Sequence, residues 1–371
     1  MADSLRAKMA PVYQHLLSEL FDRPAIPETR ATCDDCAMCD KGQNPGVKMD
    51  FFKPDVKCCT YHPHLPNYLV GAILAEGDEY AEGKRRIRER IAKRTMISPC
   101  WVAAPKKYQL IAMASKGSNV FGRAKSMLCP YYDSSGNGSC SIWRHRESVC
   151  TTFFCKYERG RHGLDFWTGI KAYFEHIEIT FAHWAMKEVD PKLVEPKLGR
   201  LKLTVEDVDD LPPNPAEYAE LWQGWVDREA EFYLACYEKV RSMTREKFEE
   251  LIDEAPDGKK NLLELRRRWD KMMNPELPKA LVRNPKMKTA EVEAAMVVTT
   301  YNPNDSFAVD KDLYEVLGLL DASKTLEENL RTLEAEHGVE LAPELLAHLV
   351  MHGVLVTPPK KPAEACATKD G

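Results

Sequence analysis

Apolar residues recur at helical spacing through most of this chain, and the pattern lapses in one cysteine-rich stretch. From residue 4 to 21, Leu5, Met9, Tyr13, Leu16, Leu17 and Leu20 return every three or four positions, which predicts an amphipathic helix closed by Pro24 and Pro27. A second helix is expected from Asn67 to about Lys93. Residues 96–128 read as mixed, with short strands around Trp101–Val102 and Tyr108–Met113. Two long helices are expected at 163–189 and 215–242, where Phe166, Trp167, Tyr173, Phe174, Phe181, Trp184, Trp222, Trp225, Phe232 and Tyr233 fall at packing intervals. The acids and prolines of 204–215 predict a connector between them, and 244–285 reads as charged helix. From about 287 the texture changes. A strand-like run, Glu293–Thr300, meets the turn Asn302-Pro303-Asn304, and short helices follow near 310–320, 325–337 and 343–352. Thr325 with Glu328 forms a capping-box signature, and Gly353 suits a C-cap before a strand at Val354–Val356. The Pro/Lys/Ala-rich tail from Pro358 is expected to be disordered, and no long internal repeat is present.

The lapse lies at residues 28–62, where Cys, Asp, Gly, Pro and Lys replace apolar residues. Such a segment cannot fold on its own burial, so a bound ion is expected to organise it. Of the twelve cysteines, all but Cys236 and Cys366 lie between residues 33 and 155. The start of the chain mixes Lys8, Gln14, His15 and Glu19 with apolar residues, so no signal peptide is expected. No stretch approaches the roughly 18 apolar residues of a membrane span. A cytoplasmic location follows as the expectation, where thiols stay reduced. A chain of 371 residues also needs no disulfide staples. The crowded cysteines therefore read as metal ligands or redox groups.

Thiolates bind soft and borderline ions, and a two-residue gap lets two sulfurs of one loop reach one centre. Cys33-x2-Cys36-x2-Cys39 repeats that geometry, which resembles the three-thiolate run of bacterial ferredoxins without its closing Cys-Pro. The even spacing favours an iron–sulfur cluster, [4Fe–4S] by type, with a zinc or iron ion as the alternative. Cys58-Cys59 follows, then Cys129, Cys140, Cys150 and Cys155. Arg144, His145 and Arg146 sit among the last four, where positive charge would favour thiolates. One site takes four cysteines, so nine candidates suit two sites, or one site and a reactive pair. Cys100 and Cys236 read as core and Cys366 as tail. His62 and His64 read first as a loop stiffened by Pro63, and second as auxiliary ligands. His176 and His183 read as core histidines on one helix face.

The series Cys33-Cys36-Cys39, Cys58-Cys59, Cys129-Pro130-Tyr131-Tyr132, Cys140-Ser141-Ile142-Trp143 and Cys150-x4-Cys155 resembles the YkgJ-type family, described as zinc- or iron-chelating with a CxxCxxCC signature. It is also similar to the cysteine core of flagellin lysine N-methylases, which carries an iron–sulfur cluster. The resemblance covers roughly residues 30–160 and departs from the pattern twice. Eighteen residues separate Cys39 from Cys58, and Thr151 stands where the family often has Arg. What the resemblance implies is metal ligation by Cys33, Cys36, Cys39, Cys58, Cys59, Cys129, Cys140, Cys150 and Cys155. It also implies a protein or peptide substrate. The 290–357 segment resembles, loosely, a PqqD-type peptide-recognition domain through Phe307-Ala308-Val309-Asp310, Leu317 through Asp321, Thr325-Leu326 and Leu349 through Leu355. The strand Glu293–Thr300 is then expected to offer an edge to a peptide.

A net charge of −5 gives no reason to expect nucleic acid, and the basic run Lys84–Arg94 reads as a solvated helix face over Ile87 and Ile91. No P-loop, dinucleotide glycine motif or GxSxG occurs, and no non-cysteine catalytic set stands out. The expected fold is α+β and mostly α. It has a Cys-rich metal-organised domain at 1–160, an aromatic-rich helical domain at 161–285, a small winged-helix-like domain at 286–357 and a tail at 358–371. Two functions stay open: a metal protein, with an iron–sulfur cluster favoured, acting in protein or peptide modification, or a chelating or redox-sensing module without catalysis.

Overall fold

The computed structural model describes residues 4–26, 33, 35–40, 42, 51–135, 138–194 and 203–359. The chain is mostly helical with small antiparallel sheets. Its described residues form two compact units, one from those within 4–42, 51–158 and 165–269 and one from 159–164 and 270–359.

In the first unit, α1 (Leu5–Lys8) is capped by Ser4, whose side chain accepts from the Ala7 N–H. The predicted helix over 4–21 stops there, and two 3-10 turns follow at Pro11–Leu16 and Glu19–Asp22. Pro11 is the cause: its ring disfavours the helical region for the residue before it, and Ala10 is extended at ψ 135. The apolar positions still point inward, since Leu5, Met9, Tyr13, Leu16, Leu17 and Leu20 are all buried. β1 (Leu65–Pro66) leads into α2 (Asn67–Ala75), and α3 (Ala81–Ala92) follows after a break at Glu76 and Gly77. β2 (Trp101–Val102) pairs antiparallel with β1. Asn67 is fully buried, and its Nδ2 donates to the carbonyls of Pro99 and Ala182. The strand expected at Tyr108–Met113 is instead α4 (Lys106–Ala114), because Pro105 sets its start and the segment holds mostly good helix formers.

β3 (Tyr132–Asp133) and β4 (Ser139–Cys140) form a short antiparallel pair, followed by α5 (Ser148–Thr152) and the long α6 (Gly160–Val189). α7 (Pro215–Trp222), α8 (Glu229–Arg241) and α9 (Arg245–Phe248) come next, and a π turn at Glu249–Asp253 leads on to α10 (Pro256–Met273). α2 lies directly on α8, where a Cβ on Gly71 would meet the Tyr233 carbonyl oxygen at 2.0 Å. The aromatic helices do not build a core of their own. Phe21 stacks on Tyr173, and Tyr13 packs on both Tyr68 and Phe174. The domain boundary expected near residue 160 therefore does not divide the fold. The cysteine-rich segment and the aromatic helices share one unit because the N-terminal apolar residues fill the seam of α6.

The second unit holds β5 (Val282–Arg283), β6 (Lys288–Val292), β7 (Ala295–Thr299) and β8 (Phe307–Asp310). Then come α11 (Lys311–Leu317), α12 (Leu326–His337), α13 (Pro343–Met351) and β9 (Leu355–Val356). Both members of the capping box on α12 are bonded, and Gly353 takes the left-handed conformation at φ 71. Leu281, Val298, Leu317, Leu333, Leu346 and Val354 belong to its core. The sheet order is β6-β7-β8, so the run expected to offer an edge is the central strand. Val297 pairs with Ala290 on one side and Ala308 on the other. The tail beyond residue 359 lies outside the described residues.

Candidate metal centre

Five short segments bring the thiols into one region of the first unit. The Cys36–Cys39 turn is closed by the Cys39 N–H donating to the Cys36 carbonyl, and Cys39 bridges Phe52. Phe52 meets the ring of Phe121 edge-on. Turns over 54–60 then present Cys58 and Cys59, with Lys57 before them in the left-handed region at φ 52. The Cys59 carbonyl accepts from the Cys129 N–H at 2.8 Å, which fixes the vicinal pair against Cys129. The β3–β4 pairing places Tyr132 opposite Cys140. Glu147 caps α5 by accepting from the N–H groups of Val149 and Cys150, which sets Cys150 in the first turn.

These thiols fall into two neighbourhoods that touch. Cys155, buried with Met38 and Phe52, has Cys36, Cys39, Cys58 and Phe121 packed against that cluster. A cavity of about 1090 Å³ is lined by Cys33, Cys58, Cys59, Cys129, Cys140 and Cys150. Its other walls include Tyr61, Tyr131, Trp143, Phe154 and Trp167, with Lys8, Arg144 and Arg146 as cations. Such a volume, just above the roughly 300–1,000 Å³ of small-molecule sites, exceeds what one ion requires.

Burial dominates the thiol electrostatics. It pushes Cys129 up to about 12 and Cys33 and Cys39 up to about 11, and it raises Cys140, Cys150 and Cys155 as well. Cys58 moves the other way, because the Cys59 thiol hydrogen-bonds to it and the charges of Arg146 and Lys57 stand nearby. Cys59, which gives that bond, is raised. Arg146 favours the thiolates of Cys33, Cys58, Cys140 and Cys150, and its guanidinium lies 3.6 Å from the centre of the Trp143 ring. Lys57 is buried, and its ammonium donates to the carbonyls of Cys33 at 2.5 Å and Gly138 at 2.9 Å. Arg86, from the basic run read as a solvated face, turns inward to donate to the Pro130 carbonyl at 2.5 Å. Arg90 from the same run is buried and donates to the Thr95 carbonyl at 2.9 Å. The charges of both favour the Cys129 thiolate.

This donor set fits a thiolate-bound ion or cluster. Six thiols line the cavity and three more pack in the neighbouring apolar cluster, and a bound metal ion deprotonates a thiol that burial alone keeps protonated. Among the described residues, no group of three or more His, Cys, Asp or Glu side chains stands in metal-holding geometry. The thiols would therefore have to close on their ion.

Of Arg144, His145 and Arg146, which the sequence groups together, the two arginines line the cavity and His145 does not. Arg146 faces the thiols. His145 is buried with its Nε2 2.6 Å from Glu76, while Arg144 lies 3.7 Å from the same carboxylate. Lys57 and Arg86 were missed. The one available signal for Lys57 was a cation immediately before the vicinal pair. His62 stacks on Tyr108 with its Nε2 at the Leu128 carbonyl, and His64 is exposed. His183 Nδ1 lies 2.7 Å from the Ile179 carbonyl of its own helix. Cys100, 3.5 Å from the Met186 sulfur, and Cys236 are buried in the core. Cys366 lies outside the described residues. No family model, no curated protein and no solved structure matches this chain.

Proposed function

We propose that this chain is a thiolate-ligated metal protein, holding an iron–sulfur cluster, that acts in modification of a protein or peptide. The observation that carries the reading is the convergence of Cys33, Cys58, Cys59, Cys129, Cys140 and Cys150 on one aromatic-lined cavity. A lone buried cysteine can pack as a small hydrophobe, but six from distant parts of the chain on one cavity wall point to their sulfur chemistry. The likeness to YkgJ-type proteins and to the cysteine core of flagellin lysine N-methylases supports the same reading. When bound, the cluster would supply electron transfer or Lewis acidity at the cavity wall. The protein's own residues would do the rest. Arg146 and Lys57 would hold negative charge at the sulfurs, and the rings of Tyr61, Tyr131 and Trp167 would exclude water and pack a substrate side chain. The second unit, read as winged-helix-like, would hold the polypeptide substrate along an outer strand of its sheet.

The alternative is a zinc- or iron-chelating or redox-sensing module, which the hydrogen-bonded Cys58–Cys59 pair would serve. Anaerobic purification tests both. A brown protein with iron and acid-labile sulfide is the expected result. Stoichiometric zinc without sulfide would remove the cluster and leave the chelating reading, and metal-free protein under reducing conditions would remove both.

A further inference from the structure

We propose that the cavity binds a small organic anion, one with an aromatic body and a carboxylate or phosphate head. The proposal rests on the cavity wall and needs no metal. Charge is the first ground. The chain holds 57 acidic against 52 basic residues, so an unselected wall would carry both signs. This wall carries one: its charged residues are Lys8, Arg144 and Arg146, with no Asp or Glu among the described residues that line it. An anion entering there meets favourable charge without a competing carboxylate, and a cation meets only repulsion.

How the cations are held is the second ground. Arg146 ends the 3-10 turn Trp143–His145. Its guanidinium lies 3.6 Å from the centre of the Trp143 ring, and its Nε donates to the Trp143 carbonyl at 3.1 Å. Those contacts fix the plane of the group and leave its terminal N–H groups for a ligand. Among the described residues no carboxylate pairs with Arg146 or with Lys8. A planar donor pair held this way matches the oxygens of a carboxylate or phosphate. Arg144, half exposed and 3.7 Å from Glu76, adds to the field rather than to the grip.

The rings supply the third. Trp143 and Phe153 line the cavity yet are 47% and 40% exposed, so they stand at its mouth, while Tyr131 and Trp167 are buried in its wall. Large rings left open to solvent beside a cavity are the surface that a planar ligand covers. Gln14, Ser139 and Thr151 add neutral hydrogen-bonding groups that orient without adding charge. Arg146 also faces the thiols of Cys33, Cys58, Cys140 and Cys150, so a head group anchored on it lies beside the sulfurs. A modification reaction needs a small co-substrate besides its polypeptide, and this wall would hold one.

The experiment titrates the full chain, purified anaerobically, with three probes in a calorimeter: naphthalene-2-carboxylate, 2-naphthyl phosphate and 2-naphthylmethylammonium. At least one anion should bind, the tighter of the two identifying the head group. The ammonium, with the same ring and the opposite charge, should bind at least about tenfold more weakly. Arg146→Met should weaken the anion by at least about tenfold, and Lys116→Met, exposed and off the wall, should leave it unchanged. If Arg146→Met fails to fold, the comparison of probes on wild type decides. Anion and ammonium bound equally, neither anion bound, or a folded Arg146→Met that binds the anion as tightly as wild type would overturn the proposal. Metal counted on the same preparation keeps the two readings apart. Metal-free protein that binds the anion would remove the proposed function and leave this site, and metal-loaded protein that binds neither anion would do the reverse.

Discussion

Replacing Lys57 with methionine isolates the charge beside the thiols. Its side chain is buried, and the ammonium spans the carbonyls of Cys33 and Gly138 at 2.5 and 2.9 Å. Methionine keeps most of the length and removes the donor. Each hydrogen bond from a charged group contributes roughly 1.5–3 kcal/mol. Against that loss stands the desolvation of the ammonium, several kcal/mol, which the variant no longer bears. The metal-free protein should therefore lose only about 2 kcal/mol. The loaded protein should lose more. A unit charge several ångströms from an anionic centre contributes roughly 2 kcal/mol at an effective dielectric constant of about 20. That is on the order of 30-fold in metal affinity. Competitive chelator titration measures the second effect, and thermal melting of the stripped protein measures the first. Lys53→Met, at an exposed neighbour, is the control and should change neither. If Lys57→Met bound metal as tightly as wild type, the buried ammonium would not be compensating a thiolate centre, and the electrostatic argument for the site would fail.

Two further substitutions test the frame around the site. Gly71→Ala should lower the melting temperature by several degrees, since its Cβ would fall 2.0 Å from the Tyr233 carbonyl oxygen and overpacking costs about 1–3 kcal/mol; Gly224→Ala, with nothing within 4 Å, should be neutral. Glu178 is buried, accepts from both the N–H and the hydroxyl of Ser148, and has its pKa raised well above the usual carboxylate range by burial and by Glu147. The folded state then holds a proton that the unfolded state releases above roughly pH 4.3, so stability is lost as pH rises from there. Glu178→Gln should be near neutral at pH 4 and increasingly stabilising toward pH 8 in urea melts, and an equal shift at both pH values would contradict the assignment.

The hydrophobic pattern told which residues are inside more reliably than it told the backbone conformation. Leu5 through Leu20 are buried as their spacing predicts, yet Pro11 breaks the helix, because burial needs only a facing while a helix needs continuous N–H donors. Tyr108 and Ile111 carry strand propensity, but Pro105 starts a helix that contains both. Glu293–Thr300 was legible as a strand, while its rank in the sheet was not, since pairing on both sides depends on β8, nearly ten residues further on. The cysteines were legible as a group. Which of them line the cavity and which pack with Met38 and Phe52 was not, because spacing along the chain carries no such information.

The cations make the same point from the other side. The basic run at Lys84–Arg94 carries seven positive residues and one Glu, and by composition it is a solvated face. Gly83 alters that, since a Cβ there would lie 2.5 Å from the Ser141 carbonyl oxygen. α3 therefore presses against the segment just after Cys140, and Arg86 and Arg90 are carried inward with it. Arg86 ends on the carbonyl between Cys129 and Tyr131, and Lys57 ends on the carbonyl of Cys33. In both cases a carbonyl dipole holds the cation within reach of the sulfurs. Buried positive charge is costly unless something negative shares the space. Glu82 provides it for Arg86, whose Nε lies 2.6 Å from that carboxylate, and beside Lys57 the Cys58 thiol is shifted toward its thiolate. On the proposed metal reading, further thiolates beside Lys57 would add to that compensation, so Lys57→Met should weaken metal binding more than it weakens the fold.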